Sequence, residues 1–207
     1  MPAIPKFLLS VVLALALLGC TRSYQVVEVP QYAADLYPLS HTRSGVTVAV
    51  DEIRTGDRAK RYFGADLIKE GILPVNVVVS NFGRQRVAVK PSDIVLSTWK
   101  DIMDPVPTEL VVAAAKRQSG RLSSSAQTQL ATFFAGTSFH DAVVLPNETY
   151  SGVVFFALPP PQRRTEGWFR TVSTYGPGMS RIQVGVSGLD GGERMRFGPF
   201  LVNLPEE

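Results

Sequence analysis

A single cysteine stands in the 207-residue chain, at position 20, directly after an apolar run over residues 7–18 and Gly19. One thiol closes no internal disulfide, so whatever folds downstream is held by an apolar core and hydrogen bonds. The material for a core is present. Hydrophobic residues make up 45% of the chain, and a domain of about 160 residues buries roughly 68 to 70% of its unfolded surface. One domain is expected over 45–207.

Ahead of the cysteine, Lys6 is the lone charge, only Ser10 interrupts the apolar run, and Gly19 is small. That is the layout of an export signal. A spanning helix needs about 20 apolar residues, and a run of about a dozen crosses a bilayer poorly. The tetrapeptide Leu17-Leu18-Gly19-Cys20 resembles the lipobox of bacterial lipoproteins, a resemblance confined to residues 1–20. It implies that residues 1–19 are removed as a signal peptide, that the Cys20 sulfur takes a diacylglyceryl group, and that the new α-amine is acylated. Two or more chains anchor where one holds only reversibly, each buried methylene contributing about 0.8 kcal/mol. Thr21, not an acid, follows the cysteine, so the implied destination is the outer membrane, facing the periplasm. Two other readings stay open: an ordinary signal cut after Ala14-Leu15-Ala16, and Cys20 as a buried structural thiol.

The formal charge is +3, and loss of residues 1–19 removes only Lys6. The cations come as scattered pairs, among them Lys60-Arg61, Lys116-Arg117 and Arg163-Arg164. Arg84 and Arg86, and Arg194 and Arg196, alternate, and alternate strand residues share a face. Each pair reads as solvated surface or as a small positive patch for anionic lipid or cell-wall glycan; an exported, near-neutral chain is not expected to bind nucleic acid. Residues 21–44 are polar, with tyrosines and prolines and no sustained period. With Cys20 they are expected to form a lipidated tether over 20–44, spanning roughly 25 to 30 Å as a flexible coil. Tyr24, Tyr32 and Tyr37 are the residues that would dock it back on the domain or set it at the lipid interface.

From Gly45 on, strand signals dominate. Val46, Val48 and Val50 alternate with Thr47, Ala49 and Asp51, and Val75, Val77 and Val79 alternate with Asn76 and Ser80; period two marks half-buried strands. Residues 87–89 and 94–96 flank Pro91 and read as an edge strand that bends or switches sheets at the proline. Further strands are expected at 150–158, 168–175, 182–187 and 195–204, separated by turn residues. The sum is a mainly β fold: an Ig-like antiparallel β-sandwich of about seven strands.

Residues 152–158 are apolar on both faces, which predicts a central strand covered on both sides. The cover is expected from a helical hairpin inserted over 108–139. Thr108 and Glu109 start a first helix with a stripe of Leu110, Val111, Ala113 and Ala114, and Gly120 stops it. Ser124 and Gln127 have capping-box spacing, and Ala126, Leu130, Phe133 and Phe134 recur at helical intervals. Either both stripes are core, or Leu130, Phe133 and Phe134 form an exposed docking surface. A short charged helix is expected from Asp57, closing at Tyr62-Phe63-Gly64, with Tyr62, Phe63 and Leu67 over the open end of the sandwich. This segment, with Gly71-Ile72-Leu73-Pro74-Val75 and the stretch from Leu145 to Gly152, is similar to bacterial lipoproteins carrying a β-sandwich domain.

No reactive constellation is evident. His41 lies in the tether, and His140 precedes Asp141 on an extended stretch; no ligand cluster for a metal is present, and no cofactor is expected. No Gly-x-Ser-x-Gly elbow occurs. Gly176-Pro177-Gly178 and Gly191-Gly192 read as turns, not phosphate cradles. Asp51 and Glu52 are adjacent on a strand, and Asp101 and Asp104 lie near prolines, which does not make the paired acids of a glycosidase. The expectation is a non-enzymatic interaction or scaffolding module of the cell envelope with a protein partner. The competing class is a carbohydrate-binding or cell-wall-processing hydrolase, for which Trp99 is the expected exposed aromatic and Trp168 the expected core one.

Overall fold

The computed structural model describes residues 26–98, 101–120, 122–158, 162–166, 170–174 and 180–205; of 162–166 and 170–174 only the backbone is described. The strands are β1 (Ser40–Arg43), β2 (Val46–Glu52), β3 (Ile72–Asn81), β4 (Val87–Ser97), β5 (Ile102–Met103), β6 (Ala142–Val144), β7 (Glu148–Ala157), β8 (Gln162–Glu166), β9 (Arg170–Thr174), β10 (Ser180–Gly188) and β11 (Arg194–Val202). The helices are α1 (Gly56–Phe63), α2 (Thr108–Ser119) and α3 (Ser124–Thr137).

Nine of these strands make two antiparallel sheets, a four-stranded one in the order β1-β2-β3-β7 and a five-stranded one in the order β11-β10-β4-β5 with β6 also on β4. Consecutive strands β3 and β4 lie in different sheets, and so do β7 and β10, which is the crossing pattern of an Ig-like sandwich. The valines at 46, 48, 50, 75, 77 and 79 are fully buried or nearly so, and join Val87, Val89, Ile94, Leu96, Ile182, Val184, Val186, Phe197 and Phe200 in one core. Alternation on each strand thus delivers its apolar set to the space between the sheets.

β4 is not the edge strand expected at Pro91. It lies inside its sheet, pairing with β10 on one side and with β6 and β5 on the other. Val89 faces Val186 and Ile94 faces Val184, so residues 90–93 bulge opposite Gly185 alone. β6 pairs only with 87–89 and β5 only with 96–97. Pro91 sits in the gap between them, where no neighbour needs the N–H it lacks.

β7 ends the four-stranded path rather than occupying its centre, yet it is covered as expected. The N–H of Val106 donates to Phe155 O (2.7 Å) and that of Phe139 to Val153 O (2.9 Å), which shields its free edge. On the outer face, Phe155 meets Phe63 of α1 and Phe134 of α3 edge to face, at 5.7 and 5.9 Å between ring centroids. The helical hairpin therefore covers the sheet. The cap of α3 lies one residue before the expected one: Ser123 Oγ accepts from the Ala126 N–H (3.2 Å). In α2 the buried stripe is Val111, Val112, Ala114 and Ala115, and Leu110 points to solvent at 59% exposure, contrary to the expected stripe.

α1 forms as its sequence predicts. Thr55 caps its start, and Gly64 at φ 64° takes the left-handed closing position, its N–H donating to Lys60 O (2.9 Å). Arg58 reaches back to the Asp51 carboxylate on β2. Burial alone would lower the Arg58 pKa, but the hydrogen bond and charge of Asp51 outweigh it and hold the guanidinium above its ordinary value.

The tether is shorter than expected, because residues 26–44 belong to the folded unit. Val29 is buried, the Val27 N–H donates to Arg61 O (3.0 Å), and the Ala34 N–H donates to Ser80 Oγ (2.9 Å). Ala34 and Tyr37 pack with Ala49 and Val78 in a small second core outside the sheet. The Tyr37 hydroxyl donates to Pro30 O (2.9 Å), and His41 lies on β1 with its ring 4.7 Å from that of Phe200. Patterning did not reveal this because only Val29, Ala34 and Tyr37 of the segment are buried, at irregular spacings of five and three residues.

Of the strand expected over 168–175, the described residues 170–174 are not part of the sandwich, and the rest lie outside the described residues. Residues 170–174 pair only with 162–166, in a separate two-stranded hairpin β8–β9. Residues 1–25, including the lipobox, lie outside the described residues; among the described ones no helix is long and apolar enough to cross a membrane.

Candidate functional site

Four connections gather at the pole where β3 ends: 44–45 between β1 and β2, 82–86 between β3 and β4, 145–147 between β6 and β7, and 189–193 between β10 and β11. Asn81 ties three elements there. Its Nδ2 donates to Gln85 O (2.8 Å) and Val144 O (3.0 Å), its Oδ1 accepts from the Gly83 N–H (3.0 Å), and its backbone O accepts from the Asn147 N–H (2.6 Å). Every polar group of this buried side chain is matched, so the loops are fixed to one another. Two glycines permit the close approach. A Cβ on Gly45, at φ +78°, would lie 2.8 Å from Gly83 Cα, and one on Gly188 would lie 2.6 Å from Gly192 Cα.

Arg86 and Asp190 clamp two of the loops. Arg86 Nη2 donates to Asp190 Oδ1 (2.7 Å), its backbone N–H donates to Oδ2 (3.1 Å), and its carbonyl accepts from the Leu189 N–H (3.0 Å). The hydrogen bonds from Arg86, side chain first and then backbone, hold the Asp190 carboxyl below its ordinary range, and Asp190 in turn raises Arg86. The expected patches of alternating arginines are thereby reduced: Arg86 pairs with Asp190 and Arg194 with Asp93.

Between these loops opens a cleft of about 320 Å³ lined by Ser44, Asn81, Arg84, Gln85, Glu193 and Met195 among others. Around it the loops hold apolar side chains out in solvent: Phe82 is 54% exposed, Leu189 45% and Leu145 43%. These residues were missed by strand and helix patterning. The signal was a bulky apolar residue inside turn chemistry, as in Asn81-Phe82-Gly83, Leu145-Pro146-Asn147 and Gly188-Leu189-Asp190.

The expected docking stripe is elsewhere and is inward. Leu130 and Phe134 are fully buried, and Phe133 is half-buried with its ring 5.4 Å from that of Phe134 and 6.5 Å from that of Phe63. Their helix faces a sheet whose outer surface is itself apolar at Phe155, so burial wins over exposure. Cys20, Trp99 and Trp168 lie outside the described residues.

Among the described residues the candidate reactive groups named from the sequence do not converge. Among the described residues no three His, Cys, Asp or Glu are placed to hold a metal. His140 Nε2 lies 2.6 Å from Ala135 O, Asp141 pairs with Lys90 (3.7 Å), and Asp51 is held by Arg58. A second cleft of about 240 Å³, beside Pro91, Pro105, Pro107 and Phe139, is apolar, and the Thr108 and Ser138 hydroxyls on its wall bond each other (2.9 Å). The pole at Asn81 is the better site for recognition: loop-built, tied together by hydrogen bonds, amphipathic, with Arg84 and Glu193 lining its cleft.

Fold and site together define the class as a mainly β, Ig-like sandwich that offers loops at one pole. No family model matches the chain, and no curated protein does. The chain is similar to a solved structure of a candidate lipoprotein, ycdA, from Bacillus subtilis subsp. subtilis str. 168, at 10% identity and a TM-score of 0.38, over 78% of this chain and 38% of that one. It thus spans well under half of that neighbour's length, and a likeness of this degree assigns nothing.

Proposed function

We propose that this chain is a lipid-anchored protein of the cell envelope, held at the outer membrane through Cys20, that binds a protein partner through the loops at the Asn81 pole. The single observation that carries the binding half is the exposure of Phe82 and Leu145 on loops locked by Asn81, and of Leu189 on the loop clamped to Arg86. Apolar side chains held rigidly in solvent lose little freedom on binding and gain the burial of their surface. The anchoring half rests on Leu17-Leu18-Gly19-Cys20. In this reading the protein is a binding module, not an enzyme.

The test has two parts. Intact-mass analysis of the chain purified from membranes is expected to show a mature form beginning at an acylated Cys20; a free thiol there, or another first residue, ends the anchoring reading. A photo-crosslinking residue placed at Phe82 or Leu189 in cells is expected to trap one defined envelope protein, and the same residue at Leu110 is not. Equal, diffuse trapping from both places overturns the binding reading.

The polar lining of the 320 Å³ cleft favours one other reading, recognition of a cell-wall glycan at the same pole. Chemical-shift changes at Ser44, Gln85 and Glu193 on titration with wall fragments, with no protein crosslink, would select it. Turnover of those fragments, lost on a single substitution, would instead select the hydrolase.

A further inference from the structure

The anchored chain has two poles, and their placement decides which one meets the bilayer. β3 runs ten residues, Ile72–Asn81, about 30 Å from one pole to the other. The amino-terminal segment joins the domain at the Ile72 pole. Val27 bonds to Arg61 at the end of α1, the Asn76 amide reaches Pro30 O (3.4 Å), and Ala34 reaches Ser80 further on, so the chain travels toward the Asn81 pole as it leaves Val27. Five residues lie between Cys20 and Val26. Whatever their conformation, the six steps from one to the other span at most about 22 Å. A domain tied this closely cannot drift away from the surface.

A second feature leaves from that same pole. β7 ends at Ala157 opposite Ile72, and β10 begins at Ser180 beside Val202, with Arg181 opposite Ser97 at the far end of β4. Hairpin β8–β9 hangs between these two points, so its base stays at the Ile72 pole. Its two strands carry Arg163, Arg164 and Arg170 against Glu166. Val27, 56% exposed, lies at this pole as well.

We propose that the Ile72 pole, with hairpin β8–β9, is a bilayer-facing surface that contacts anionic phospholipid headgroups, and that the Asn81 pole with its cleft is thereby held away from the membrane toward its partner. This rests on the lipid anchor at Cys20. Excess positive charge close to an anionic surface is drawn to it, and the short link keeps that charge within the range of the surface potential. Anchor and hairpin then act as two points of attachment, and two points set an orientation where one only sets a distance.

Because an acylated Cys20 does not react with maleimides, one added cysteine takes a label cleanly. The mature lipidated chain carrying Thr165→Cys or Arg84→Cys is labelled with a fluorophore and reconstituted into phosphatidylcholine vesicles, with or without phosphatidylglycerol, that contain a headgroup quencher. The expected result is at least twofold stronger quenching at 165 than at 84, a contrast that grows with phosphatidylglycerol and shrinks in Arg163→Glu/Arg164→Glu. Equal quenching at both positions, stronger quenching at 84, or indifference to phosphatidylglycerol while the protein still floats with the vesicles overturns the orientation and leaves the anchor standing. Failure of the mature chain to float, together with a mass lacking acyl groups, removes the anchor and the orientation with it. Circular dichroism matching that of the unsubstituted chain shows that each variant is folded.

Discussion

Asn81 shows how much one polar residue can organise when all its groups are matched. It closes β3, holds the β3–β4 turn through Gly83 and Gln85, and ties in the β6–β7 connection through Val144 and Asn147. The reverse case is Phe134, which carries no polar group and acts only by filling space between α3, Phe63 and Phe155. Phe134→Ala is expected to cost about 3 to 5 kcal/mol by removing buried surface and leaving a cavity. Urea unfolding of the variant measures this, and a loss below about 1 kcal/mol would mean that the ring is not core. Both residues stood out in the sequence, one as turn chemistry and one on a helical stripe. Which face of that stripe is inward was not readable, because an apolar stripe has the same period whether it meets the protein's own sheet or a partner.

At the scale of elements, the helices and the long strands follow from periodicity and caps, as Thr55, Gly64 and the valines of β2 and β3 illustrate. Elements held by long-range contacts do not. β5 and β6 are two and three residues long, too short to show a period, and exist because β4 offers them an edge. The segment over 26–37 has no regular strand of its own, and is fixed by a few hydrogen bonds to β3 and by Tyr37. Tyr37→Phe removes the donor to Pro30 and the acceptor for Asn76. Faster hydrogen exchange at Val27 and Ala34 is expected, with a loss of global stability of about 0.5 to 1.5 kcal/mol. Unchanged exchange at both amides would show that the segment is held by packing alone.

For the whole molecule, ion pairs join parts distant in sequence without supplying the core's stability. Arg86 and Asp190 link the β3–β4 connection to the β10–β11 connection at the Asn81 pole, and both are exposed. Since Asp190 has its folded pKa lowered, its contribution is present above the ordinary carboxylate pKa of 3.8 and is lost as pH falls through the lower folded value. Arg86→Leu is therefore expected to lower the melting temperature slightly at neutral pH and to converge with the unsubstituted chain in strong acid. Melting curves from neutral pH into strong acid test this; a gap that widens toward acid would contradict the sign. Such exposed pairs shape the loops more than they stabilise the fold.

Local order sufficed for much of this protein: an apolar run ending in one cysteine, a disulfide-free β-rich domain, a capped helical hairpin, and valine strands with a defined inner face are all short-range patterns that neighbouring residues impose on one another. Long-range geometry had to supply the rest. That β4 is interior, that 26–44 docks rather than dangles, that Leu130 and Phe134 are core, and that Phe82, Leu145 and Leu189 share a pole all depend on contacts between residues far apart in the chain. An apolar side chain becomes core or surface only when the sheet opposite it is in place, and no pattern along one strand or helix contains that partner.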